Sequence, residues 1–211
     1  SQRLYKASDY DSFDITPEQV RRSRRGYFAN ISYIDDKVGG LLSVLERTRM
    51  ADDTIVVFCS DHGDMLGERG LWFKMSFLEG SARVPLTIAG KGISAGLIGE
   101  PTSNLDILPT LCDLAGIDMS AIMPWTDGQS LKPLIEGKGR GEPVLMEYAA
   151  EGSYAPLVGI REGRYKFIHC EIDPPQLFDL ESDPRELTNL AADPAHAGLV
   201  AAFMEKVRAR W

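Results

Sequence analysis

The segment "TIVVFC", residues 54 to 59, constrains the fold more than any other part of this chain. A continuous β-branched run of this kind belongs to a strand covered on both faces, as in a parallel sheet flanked by helices. It delivers Ser60-Asp61-His62-Gly63 at its C-terminal end. In open α/β sheets that edge is where ligands sit, because the loops there converge on a crevice. "VPLTIAG", 84 to 90, reads as a second strand.

A long helix precedes the first strand. Thr16-Pro17-Glu18-Gln19 is a helix start, with Thr16 as N-cap, Pro17 at the first helical position and Gln19 closing a capping box. Val20, Tyr27, Phe28, Ile31, Ile34, Val38, Leu41, Leu42 and Leu45 then recur at three- and four-residue steps, which predicts one buried stripe running to about Arg49, weakened or bent at Gly39-Gly40. Downstream, Ser103-Asn104 precedes the short helix "LDILPTLCDLAG", where Pro109 requires a first-turn position. Residues 116 to 143 read as an irregular connector. "PVLMEYA", "APLVGIREG", "RYKFIHCEI" and "QLFDL" follow as short strands of an antiparallel meander, with Glu162-Gly163 as a turn. A terminal helix with the stripe Leu199, Val200, Phe203, Met204, Val207 and Trp211 covers it.

The fold class expected is α/β: an incomplete parallel sheet with helices over 1–140, then a small antiparallel α+β subdomain with a terminal helix over 141–211. A parallel sheet needs several strand-helix-strand units, and upstream of residue 100 only one strong strand and one weaker candidate are present. The chain therefore reads as part of a larger protein.

Composition narrows the partners. With 44% hydrophobic and 26% charged residues over 211, the chain has enough apolar material for one large domain or two small ones. Its formal charge is −8, and apart from Arg21-Arg22-Ser23-Arg24-Arg25 the basic residues are scattered, which argues against nucleic acid. No apolar run approaches the ~20 residues that span a bilayer, and "SQRLYKASDY" is not a signal peptide. Cys59, Cys112 and Cys170 lie far apart inside apolar segments, which predicts buried free thiols and a cytoplasmic, soluble chain.

Asp61 is a hard oxygen ligand and His62 a neutral nitrogen ligand, and adjacent ligands at a strand end can share one divalent cation. Lys74, between Trp72-Phe73 and Met75, places an ammonium group in apolar surroundings, where an oxyanion would be its natural partner. The same residues also fit a plain turn, in which Asp61 and His62 cap, Gly63 and Gly67 supply positive φ, and Lys74 snorkels to water.

Taken together, Ser60-Asp61-His62-Gly63, Gly67, Lys74, Glu79, Arg83 and Pro85 resemble the metal- and sulfate-binding block of type I sulfatases in the alkaline phosphatase superfamily. The wording "SDHGDMLGERGLWFKMSFLEGSARVPL", with "ISYIDDKVG" before it and "DGQSLKPL" and "KFIHCEIDPPQLFDLESDPRELTNLA" after it, is similar to the choline sulfatase branch. The resemblance implies that Asp61 and His62 bind a calcium-type divalent metal, while His beside Asp also suits manganese or zinc. It implies that Lys74 binds the sulfate oxygens and acts in catalysis. It also implies that Glu151, with Tyr148 and Tyr154 near it, meets the quaternary ammonium of choline O-sulfate, a cation suited to a carboxylate and aromatic faces. A homo-oligomer is expected for the complete enzyme, with no nucleic-acid or membrane partner.

The nucleophile implied by the family is a formylglycine made from Cys or Ser within C/S-x-P-x-R, and this sequence lacks that motif. Ser182-Asp183-Pro184-Arg185-Glu186 comes closest, with Glu in the final Arg position, and reads as a structural turn. Asp35-Asp36 sits mid-helix rather than at a strand end. The chain is thus expected to be the C-terminal portion of a choline sulfatase, inactive alone. The rival readings are a phosphonate monoester or aryl sulfate hydrolase of the same superfamily, and a non-catalytic chain that binds through a sheet edge or helix face. Glu79 and Arg83 read as a structural ion pair, His169 as a core or subunit-interface histidine, His196 as the start of the exposed terminal helix, and Asp106 as a first-turn carboxylate.

Overall fold

Helix α1, Pro17–Arg47, begins where its capping box predicts. The Thr16 hydroxyl accepts the Gln19 N–H at 3.3 Å, and the Gln19 side chain takes the Thr16 N–H at 2.8 Å. The helix runs unbroken through Gly39-Gly40. This computed structural model describes residues 14–139, 141–150 and 153–210. By backbone contacts the chain divides into two compact units, Ser1–Ala95 and Gly96–Trp211.

In the first unit, β1 (Val56–Cys59) pairs with β4 (Leu86–Ala89), and the hairpin β2 (Met65–Leu66) and β3 (Trp72–Phe73) lies between them in sequence, followed by the short helix α2 (Glu79–Ala82). The β1–β4 ladder is antiparallel, with Val57 opposite Ile88 and Cys59 opposite Leu86, and no parallel pair occurs among the described residues. A continuous apolar run encodes cover on both faces and carries no information on the direction of the neighbouring strand. Met65, Leu71, Phe77 and Leu78 form the buried apolar set around the hairpin and α2. The stripe of α1 departs from expectation, since no residue of the helix is buried and Phe28 and Leu41 are 64% and 68% exposed. Amphipathic spacing records which face seeks cover, and of the stripe Val20, Tyr27, Val38 and Leu45 are half-buried; the N-terminal half is also tied to the hairpin. There Arg24 donates to the Leu66 carbonyl at 3.0 Å and pairs with Glu68 at 2.8 Å. Cys59 is likewise exposed at the open end of β1, whereas Cys170 is buried and Cys112 half-buried, all three as free thiols.

The second unit opens with a 3-10 turn, Asn104–Asp106, leading into α3 (Ile107–Leu114), with Pro109 in its first turn. Asp106 is more than a first-turn carboxylate. Fully buried, it accepts the Ser103 N–H at 2.8 Å and the Gln129 N–H at 2.9 Å, so it ties the connector to the helix start. Thr110 adds a second tie by accepting the Leu131 N–H at 2.8 Å. The connector also holds two short helices, α4 (Met119–Ile122) and α5 (Lys132–Ile135).

The predicted meander is present as β5 (Val144–Tyr148), β6 (Leu157–Glu162), β7 (Tyr165–Cys170) and β8 (Asp173–Asp179), antiparallel in sequence order. Helix α6, Ala197–Arg210, packs on it through Phe203 and Val207 against Val158, Ile160, Phe167 and Leu177, with the Phe167 and Phe203 rings stacked at 5.5 Å. Trp211 lies outside the described residues. His169 sits where the β7–β8 register shifts, its Nδ1 buried without a hydrogen-bond partner, and His196 closes the 3-10 turn before α6 on Asp193 at 3.1 Å. Among the described residues no helix is long and apolar enough to cross a membrane.

Two ion pairs anchor the turn after β8. Arg164 grips the Asp179 carboxylate with two nitrogens, while the Ser182 hydroxyl donates to the same group at 2.8 Å. Beneath it Lys166, pointing off β7, meets Glu186 at 2.5 Å with both side chains almost fully buried. Glu186 holds φ at 55°, in the left-handed region, with its N–H donated to the Asp183 carbonyl at 3.0 Å. The segment Ser182–Glu186 is therefore structural. Deleting one partner of a buried pair strands the other charge, so Glu186→Ala is expected to lose about 3–5 kcal/mol of unfolding free energy in denaturant titration, and the double change Lys166→Met with Glu186→Leu to recover most of it.

Asp179 predicts an acid dependence. Arg164, above all, and then the Ser182 hydroxyl and the Glu181 and Ser182 N–H groups, hold its carboxyl far below the usual carboxylate range against the opposing effect of burial. The unfolded chain then takes up the proton first, near the ordinary value of about 3.9, so the contribution is complete above that pH and is lost as pH falls below it toward the native value. Thermal unfolding of the native protein and Asp179→Asn should differ most at neutral pH and converge in acid; a constant gap would contradict this.

Candidate active site

β1 ends at Cys59 and the chain turns sharply, held by its own polar groups. The Ser60 hydroxyl donates to the His62 carbonyl at 2.7 Å, and the His62 N–H donates to Asp61 Oδ1 at 2.9 Å. His62 Nδ1 lies 2.9 Å from the Gly63 carbonyl, the contact of a protonated Nδ1, which leaves Nε2 as the free acceptor. That Nε2 stands 3.5 Å from Asp61 Oδ2, with Asp61 85% exposed and His62 36% exposed. The His62 N–H, followed by the His62 ring and the Lys74 ammonium, lowers the Asp61 carboxyl from its ordinary value and outweighs the opposing effect of burial. The carboxylate and the imidazole singled out in the sequence thus stand side by side.

The donor set suits a hard or borderline cation, with one carboxylate oxygen and one imidazole nitrogen side by side and the ring oriented by a carbonyl behind it. Among the described residues no third His, Cys, Asp or Glu joins them, so the pair fits a metal as one side of its coordination sphere. Asp35 and Asp36 remain on α1, with Asp36 paired to Lys37 at 3.0 Å.

Lys74 follows β3 at the edge of the hairpin. It is exposed, as is Phe73 at 60%, so the apolar surroundings read from its neighbours are not realised around the ammonium group. Trp72 and Met75 are half-buried while Phe77 and Leu78 turn inward, and linear proximity to apolar residues placed the backbone rather than the side-chain tip. Phe73 itself adopts φ of 62°. The Lys74 carbonyl accepts the Ser76 N–H at 2.6 Å and the hydroxyl of Ser81.

Gly63 has a role other than the predicted one. Its φ is not in the left-handed region, unlike Gly67 at 93°, and what demands glycine is space, because a Cβ there would meet the Gly80 carbonyl on α2. From this close approach the Gly63 N–H donates to the Ser81 carbonyl at 2.8 Å. Next to it Tyr27 of α1 hydrogen-bonds Asp64, and burial, then the Asp64 charge, raise the Tyr27 hydroxyl above its ordinary value. Gly80 and Ser81 escaped the sequence reading, and Tyr27 was read only as part of the α1 stripe. The small-residue run Gly80-Ser81-Ala82, a few positions after Lys74, was the available sign of close packing.

In the second unit, Tyr148 is half-buried on β5 and Tyr154 is 69% exposed. Glu151 lies outside the described residues.

The family profile described as Sulfatase matches residues 1–117, and that described as N-sulphoglucosamine sulphohydrolase, C-terminal, matches residues 67–210. The chain is 68% identical over 182 residues to the choline-sulfatase of Rhizobium meliloti, covering 86% of this chain and 36% of that protein. It is 35% identical over 176 residues to arylsulfatase K of Danio rerio, covering 79% of this chain and 33% of that protein. The phosphonate monoester hydrolase of Agrobacterium radiobacter superposes with a TM-score of 0.80 at 30% identity, covering 93% of this chain and 42% of that one. The chain spans about a third of the length of the curated relatives it matches. Mixed helices and antiparallel sheets with a terminal helix are thus the part of the sulfatase fold that this chain contributes.

A side chain at position 63 has no room, so Gly63→Ala is expected to cost about 1–3 kcal/mol in denaturant unfolding, the penalty of overpacking. A neutral variant would contradict the close approach of Gly63 to α2.

Proposed function

We propose, for a chain that belongs to the sulfatase family, that the protein carrying it hydrolyses choline O-sulfate to choline and sulfate. The observation that carries this reading is the 68% identity with a choline-sulfatase across 86% of the chain, supported by the Asp61 carboxylate and His62 imidazole standing side by side after β1.

Asp61 and His62 would hold a divalent cation, calcium or manganese, through a carboxylate oxygen and His62 Nε2. Such a cation supplies Lewis-acid stabilisation of the negative charge that grows on the sulfuryl oxygens and polarises the attacking group. Lys74 binds a sulfate oxygen and holds a positive charge where that negative charge develops, so its contribution is larger in the transition state than in the bound ester. The Gly63 carbonyl keeps His62 in one tautomer, and the Ser60 hydroxyl holds the turn closed. Glu151, with Tyr148 and Tyr154, takes the quaternary ammonium, which offers no N–H to donate and is recognised by charge and aromatic faces. The formylglycine nucleophile belongs to a segment outside this sequence, which has no C/S-x-P-x-R motif, so this chain by itself is expected to release no sulfate. A cytoplasmic, homo-oligomeric enzyme completes the proposal.

In the full-length protein, Lys74→Ala should lower kcat for choline O-sulfate by about 10²–10³-fold, the usual loss on deleting one donor to a developing oxyanion. Asp61→Ala and His62→Ala should abolish retention of the divalent metal through desalting. Full activity and normal metal content in these variants would remove the assignment. Assay against aryl sulfates and phosphonate monoesters decides the substrate: a kcat/KM for choline O-sulfate below that for either would favour the rival hydrolase, and Glu151→Gln should impair only the choline ester.

A further inference from the structure

Ser81 bonds to both arms of the candidate site. It sits on the four-residue helix α2, only 3% exposed, with its own N–H satisfied by the Leu78 carbonyl at 2.9 Å. Its carbonyl receives the Gly63 N–H, next to His62, and its hydroxyl donates to the carbonyl of Lys74. Neither receiving segment is held by a regular ladder. Gly63 lies in the irregular turn after β1, and Lys74 follows a two-residue strand whose last member, Phe73, is in the left-handed region. A left-handed phenylalanine persists only where neighbouring contacts over-determine it, and the Ser81 bond is made to the residue immediately after it.

We propose that Ser81 is a positioning residue for the sulfuryl-transfer site: it sets the separation between the His62 arm and Lys74 by holding one through its backbone and the other through its hydroxyl. The inference rests on the reading of Lys74 as the sulfate-binding group. Its consequence is asymmetric. Removing the hydroxyl leaves the Gly63 bond, and so the metal arm, in place, and releases only the Lys74 backbone.

The test is a double-mutant cycle in the full-length protein, scoring kcat and KM for choline O-sulfate, affinity for inorganic sulfate, divalent-metal content and melting temperature for Ser81→Ala, Lys74→Ala and the pair. A displaced Lys74 should cost Ser81→Ala about tenfold to hundredfold in kcat/KM and weaken inorganic sulfate, with metal content and melting temperature close to native. In the Lys74→Ala background the same change should cost less than twofold, because Ser81 acts through Lys74. An Ser81→Ala enzyme within twofold of native, or one that loses as much in the absence of Lys74 as in its presence, would overturn the inference. A fully active Lys74→Ala enzyme would instead overturn the reading beneath it. Ser81→Cys, nearly isosteric and a much weaker donor, carries the same cycle if the alanine variant does not fold.

Discussion

The hydrogen bond from the Gly63 N–H to the Ser81 carbonyl is the contact on which the candidate site depends. It forms only because position 63 lacks a Cβ, so that the turn after β1 can lie directly against Gly80 on α2. Through it the end of a strand, a hairpin edge and a short helix converge on one place, although Asp61 and Lys74 belong to separate stretches of irregular backbone. Convergence of this kind matters for sulfate-ester chemistry because charge stabilisation works only when the positive groups are in place before the negative charge develops. The Ser81 hydroxyl, donating to the Lys74 carbonyl, ties the hairpin edge to the same helix.

Much of this was legible in the residues themselves. The capping box at Thr16 and Gln19, the first-turn Pro109 and the four meander strands all follow from local signals, and local physics decides them. Asp61, His62 and Lys74 were singled out by the joint pattern that resembles the sulfatase block, since pair by pair they also fit a capped turn and a snorkelling lysine. What could not be read were properties set by long-range contact. The direction of β4 relative to β1 is invisible in an apolar run, and the stripe of α1 indicates a face to be covered without saying what covers it. Gly63 read as a positive-φ glycine, whereas its requirement is for space against a residue seventeen positions later.

The second unit shows the same limit from the stability side. Lys166 lies in a strand whose neighbours are apolar, and nothing local distinguishes it from a snorkelling surface lysine; only its meeting with Glu186, across the turn after β8, makes it a buried charge. The segment Ser182–Glu186, which comes nearest to a nucleophile motif but carries Glu in its final position, is engaged by this pairing and by the Arg164–Asp179 clamp. The candidate site residues Asp61, His62 and Lys74 all lie in the first unit, in the turn after β1 and at the hairpin edge. The second supplies a tightly locked sheet and helix, along with Tyr148 and Tyr154.

The most direct test of the central claim is a crystal structure of the full-length protein grown with calcium and inorganic sulfate. The account predicts a cation bonded to the Asp61 carboxylate and His62 Nε2, with a sulfate oxygen within hydrogen-bonding distance of Lys74 Nζ. A cation bound elsewhere, or a sulfate held without Lys74, would contradict it.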